Sequence, residues 1–92
     1  MNNLFISYDL NSPNQNYDVV IESIKELGNW AYINKSTWYV SSLLSAEEAA
    51  KKIHLKMDSN DNLIVINTSN NEAYWYNLSD EVSNHIQEFW YK

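Results

Sequence analysis

The sequence predicts a mixed α/β domain in which two β-α-β units interleave, and three observations carry that reading. Short β-prone segments alternate with two helical periodicities in the order β-α-β-β-α-β. The sole proline and the sole glycine, Pro13 and Gly28, bracket the first helical stretch. A capping-box pair, Ser45 and Glu48, opens the second. A chain of 92 residues holds one core of this kind and not two, so a single domain over residues 1–92 is expected.

Leu4 to Tyr8 is the first strand, closed by Asp9 and the turn-forming run Asn11-Ser12-Pro13-Asn14. Pro13 holds Ser12 away from helical geometry, so the first helix starts beyond it, capped by Asn14 or Asn16. Tyr17, Val20, Ile21, Ile24 and Leu27 then recur at helical spacing, with Asp18, Glu22, Lys25 and Glu26 opposite. Gly28 falls where a left-handed terminating residue is expected. Trp30–Ile33 and Thr37–Leu44 read as strands joined at Asn34-Lys35-Ser36, the second rich in aromatic and β-branched residues.

After the Ser45 cap, Ala46, Ala49, Ala50, Ile53 and Met57 form a narrow apolar stripe, and its alanines predict close approach to a sheet. Asp58 to Asp61 is a polar turn, expected to be solvated, and Leu63–Ile66 is the fourth strand. Ferredoxin-like folds have this order, with right-handed crossovers placing both helices on one face of a four-stranded antiparallel sheet. An aromatic segment, Ala73 to Tyr76, and a short helix from about Ser79 complete the chain. Val82, Ile86 and Phe89 share one stripe of that helix. The uncovered sheet face and this tail are expected to form an interface, or the tail to cover the face.

Charge restricts function. Twelve acidic residues face six lysines, arginine is absent, and the net charge is -6. Tight non-specific binding to nucleic acid draws on clustered cations, and the one cluster, Lys51, Lys52 and Lys56, lies beside Glu47 and Glu48. Without cysteine there is neither disulfide nor thiolate chemistry. Met1-Asn2-Asn3 leads into no signal-like apolar segment, and apolar runs of four or five residues are too short for a bilayer. A cytoplasmic protein without membrane contact is therefore expected.

Asp9 is the candidate catalytic and metal-binding residue, because strand carboxyl ends next to polar loops favour ligand sites. One carboxylate is a poor Mg²⁺ or Mn²⁺ site, but a twofold dimer could bring two copies together around metal-held water. The competing reading makes Asp9 an acceptor for its own loop. His54 and His85 sit on different helices without metal-ligand spacing and read as boundary residues. Tyr74, Trp75, Tyr76, Trp90 and Tyr91 could stack on bases, although the acidic surroundings favour a protein interface.

The opening Leu4–Leu10, the amphipathic first helix and the Trp30–Val40 hairpin resemble the Cas2-like superfamily, and Tyr8-Asp9-Leu10-Asn11, Ser36-Thr37-Trp38, Leu44-Ser45 and Asp61-Asn62-Leu63-Ile64 resemble its SinR-family members. The similarity is greatest to its small members labelled SinR family. The resemblance implies a ferredoxin-like subunit in a homodimer. It also implies a metal-binding role for Asp9 in a nuclease, with Tyr8 and the hairpin around Ser36 lining the same cleft. Cas2 proteins additionally serve as structural bridges in spacer insertion. This chain departs from them in having Asn14, Gln15 and Asn16 where arginines are common. The expectation is thus a Cas2-like homodimeric structural or protein-interaction module. The alternatives are a metal-dependent endonuclease using paired Asp9 residues, and an acidic nucleic-acid mimic binding a basic partner.

Overall fold

In the computed structural model, residues 1–11 and 17–91 are described. The first strand, β1 (Asn2–Asp9), alternates strictly: Leu4, Ile6 and Tyr8 are buried, while Asn3, Phe5, Ser7 and Asp9 face the other way. The helix α1 (Tyr17–Lys25) buries Val20, Ser23 and Ile24. Its expected caps, Asn14 and Asn16, lie outside the described residues, as does the Ser12-Pro13 turn. Next come β2 (Gly28–Asn34) and β3 (Thr37–Ser42), then α2 (Ala46–His54), β4 (Asn62–Asn67), β5 (Glu72–Tyr76) and α3 (Asp80–Phe89).

All strand pairs are antiparallel, in the order β2-β3-β1-β4-β5. The sheet therefore has five strands, not the expected four. The aromatic segment is not a separate tail; Leu63 pairs with Tyr76 and Asn67 with Glu72, which extends the ladder past β4. The reason lies in its alternation. Tyr74 and Tyr76 turn toward the core and pack against it, and Trp75 turns to the opposite face.

The core lies between the inner sheet face and the helices α1 and α2. Leu4, Ile6, Val40, Leu63 and Val65 from the sheet meet Val20 and Ile24 of α1 and Ile53 of α2, all without solvent exposure. Each such side chain contributes roughly 1.5–3 kcal/mol relative to an exposed position. Ala46, Ala49 and Ala50 are also fully buried, which lets α2 lie close on the sheet as its alanine stripe predicts. The capping box forms as expected: the Glu48 amide donates to Ser45 Oγ at 3.1 Å, and the Ser45 amide donates to Glu48 Oε1 at 3.0 Å. The Ser45 amide on Oε1, followed by the Ser45 hydroxyl, holds the Glu48 carboxyl below its ordinary range.

Gly28 does not terminate α1 in a left-handed conformation, because no glycine has positive φ. It opens β2 instead, opposite Ser42, where a Cβ would collide with the Ser41 carbonyl oxygen. The glycine permits close backbone approach rather than a helix stop. Strand β3 ends at Ser42, two residues before the expected Leu44, since the Ser42 hydroxyl donates to Leu27 O and accepts from the Leu44 amide. Among the described residues, no helix is long and apolar enough to cross a membrane.

Candidate functional site

Asp9 ends β1 on the outer face of the sheet, opposite Asn62 of β4, and it is exposed. A shallow recess of about 170 Å³ beside it is lined by Ser7, Tyr8, Asn62, Leu63, Ile64 and Leu78. That is below the roughly 300 Å³ at which small-molecule pockets usually begin. Asp61, which precedes the Asn62 paired with Asp9, is committed elsewhere. Among the described residues, no group of three His, Cys, Asp or Glu side chains is placed to hold a metal ion. Among the described residues Asp9 offers one carboxylate facing the Asn62 amide, so Mg²⁺ there would draw its remaining oxygens from water, a phosphate or a second copy.

Tyr8 does not share a cleft with Asp9 through its side chain. Strand alternation sends the Tyr8 ring to the inner face, where it is 4% exposed. Its hydroxyl donates to the Lys35 carbonyl at 3.1 Å, and its amide donates to Ser36 O at 3.1 Å. The ring thereby clamps the β2–β3 turn against the end of β1. Burial pushes the Tyr8 hydroxyl pKa up from the ordinary tyrosine value. The buried Trp38 indole N–H, directed at the Tyr8 hydroxyl, opposes that rise in part.

Asp61, expected in a solvated turn, is fully buried and organises the loops beneath Asp9. Its Oδ1 accepts from the Asn11 amide and its Oδ2 from the Asp58 amide, each at 2.8 Å. A carboxylate with two amide donors replaces its lost hydration, which is why this position can be inside. Asn11 Nδ2 adds a bond to the Asn60 carbonyl at 2.7 Å. Asn77, in the left-handed region with φ 63°, donates to the carbonyls of Ser59 at 2.7 Å and Asp61 at 2.8 Å. The Asp58-x-x-Asp61 spacing signals a turn, but only the fold reveals that its second aspartate reaches back to the β1 loop.

His54 is half-buried, as a boundary residue should be. Its ring stacks on Tyr76 with centroids 3.9 Å apart and 6° between planes, and Nε2 lies 3.3 Å from Asp61 O. His85 packs against Phe89 at 4.8 Å between ring centroids. Neither histidine is placed beside Asp9. Of the aromatics expected at an interface, Tyr74 and Tyr76 are half-buried against the core, while Trp75 Nε1 donates to Ser83 Oγ and Trp90 Nε1 to Asn71 O. These rings are therefore spent largely inside the subunit. Tyr91 alone of the group is mostly exposed.

Two other surfaces are open. The outer sheet face carries Phe5, Tyr39, Ile64 and Ile66, and α3, which has no buried residue, stands near its β5 side. A recess of about 550 Å³ lies between α1 and α2 and includes Leu27, Leu44, Leu55, Lys52 and Lys56. Of the basic cluster, Lys51 is engaged by Glu47 at 2.6 Å. Comparison of the chain with protein-family models, with curated proteins and with solved structures returns no match.

Proposed function

We propose that the protein is a Cas2-like homodimeric structural module that presents its outer sheet face to protein partners. The interleaved order, with β1 and β3 central and α1 and α2 on one face, supports reading β1 to β4 as a ferredoxin-like unit. The carrying observation is the outer face. Phe5 at 39% exposure packs on Tyr39, with ring centroids 5.6 Å apart, and continues into half-buried Ile64 and Ile66. A contiguous apolar surface of this kind marks an interaction site. Sedimentation equilibrium at tens of micromolar, without metal or nucleic acid, should give twice the subunit mass. A monomer there overturns the proposal.

A second reading, metal-dependent phosphodiester hydrolysis, rests on Asp9 standing exposed at a strand end. It requires two Asp9 carboxylates within reach of one metal. Mn²⁺-dependent cleavage that survives Asp9→Ala would end this reading. The acidic-mimic reading has less support: α1 and the turn after it offer a row of Asp18, Glu22 and Glu26, but Lys25 stands beside it.

A further inference from the structure

An edge strand exposes unpaired backbone groups, and proteins usually guard it with charge, proline, shortness or a covering element. The two edges of this sheet differ. At β5 the strand has five residues, begins with Glu72 and is half-buried throughout, with the Lys51 ammonium 5.8 Å from the Tyr74 ring. At β2 the strand has seven residues, every one exposed, and Gly28 to Asn34 contains neither a charged residue nor proline. Trp30, Tyr32 and Ile33 are 47%, 62% and 47% exposed. Its one irregularity lies between Tyr32 and Asn34, at the far end. Among the described residues nothing pairs with β2 except β3.

We infer that β2 pairs antiparallel with β2 of a second copy across a twofold axis at Ala31, joining two sheets into one of ten strands. This inference rests on the homodimer reading above and assigns its interface. The strand is self-complementary about Ala31. A twofold pairing there sets Trp30 opposite Tyr32 of the second copy twice, and sets the small Ala31 against itself. Trp30 and Tyr32 lie on the inner face and are already held, their ring centroids 5.5 and 5.4 Å from that of Trp38. Lys25 Nζ adds a cation 4.5 Å from the Trp30 centroid. Cross-strand aromatic pairing would thus engage rings that lose little freedom on association.

Charge favours this occupant as well. Two copies of a chain with net charge -6 repel, yet β2 itself carries no charged side chain, and the charge over its Trp30 ring is the cation of Lys25. Pairing at β2 leaves the outer face of each copy open and makes the two faces continuous. It also sets the two β1 strands five strand spacings apart, about 24 Å laterally. In such a dimer the Asp9 residues do not share a metal.

The chain has no cysteine, so a single Ala31→Cys substitution reports the axis directly. Directly opposed residues in antiparallel strands have Cα atoms about 4.5–5.5 Å apart, within disulfide range. Mild oxidation should convert Ala31→Cys to a covalent dimer, while Phe5→Cys, in the middle of the outer face, stays uncross-linked. Ala31→Lys and Ala31→Glu, each confirmed folded by circular dichroism, should each weaken self-association at least about tenfold. Mixing them should restore a one-to-one dimer. A native dimer that resists cross-linking through Ala31→Cys and tolerates both charges overturns the edge pairing while leaving the homodimer standing. A native monomer overturns both.

Discussion

Replacing Asp61 tests whether the loops under Asp9 are held by one buried carboxylate. Its two oxygens accept from the Asn11 and Asp58 amides at 2.8 Å each, from a position with no solvent exposure. Asp61→Ala removes both acceptors and strands two backbone donors. Each unsatisfied donor costs about 1–3 kcal/mol, so the variant should lose about 2–6 kcal/mol. Asp61→Asn keeps one amide oxygen and turns an N–H₂ toward the other donor, which should cost about half as much. A domain of this size has roughly 5–14 kcal/mol in total, so the Asn variant should still fold, and the Ala variant over most of that range. Urea titration followed by far-ultraviolet circular dichroism is the assay. The midpoint should fall in the order wild type, Asn, Ala, with an unchanged slope. An Ala variant within about 0.5 kcal/mol of wild type would refute the latch, since that is the range of an ordinary surface change.

Gly28→Ala should lower the unfolding midpoint by more than a surface substitution, because the added Cβ meets the Ser41 backbone oxygen, which cannot swing aside; overpacking of this kind costs about 1–3 kcal/mol. Thermal melts would show it, and an unchanged melt would mean that β2 shifts freely at its start. The raised pKa of Tyr8, caused first by burial, also has a signed consequence. The folded state holds that proton longer than the unfolded chain, so its stabilisation is full below the ordinary tyrosine value near 10 and is lost as pH rises through the folded value. Phenolate absorbance should reveal one tyrosine titrating late, and Tyr8→Phe should remove that component alone.

Legibility in the sequence followed the range of the interaction. The α2 start was readable because Ser45 and Glu48 are three residues apart and bond each other; no distant partner is needed. The first strand was readable as a short apolar run, Leu4 to Tyr8, closed by Asp9 and turn-forming residues. Gly28 was misassigned because a helix stop and a close strand crossing ask for the same residue, and the deciding atom belongs to Ser41. Asp61 was misassigned for the same reason: its partners include the Asn11 amide, fifty residues away in the chain. The site was less legible than the fold. Asp9 was located at its strand end, but its isolation from other carboxylates depends on which side chains β4 and the turns bring near.

By itself the sequence determined the alternating elements, the two helix faces and the acid excess, since propensity, periodicity and charge are properties of short stretches. Only the tertiary structure decided that the aromatic segment becomes a fifth strand, that Asp61 is buried against the β1 loop, and that β2 is left as an edge among the described residues. Those outcomes depend on pairing between residues far apart in the chain, where backbone hydrogen bonds and burial are shared. No local pattern specifies which strand remains without a neighbour.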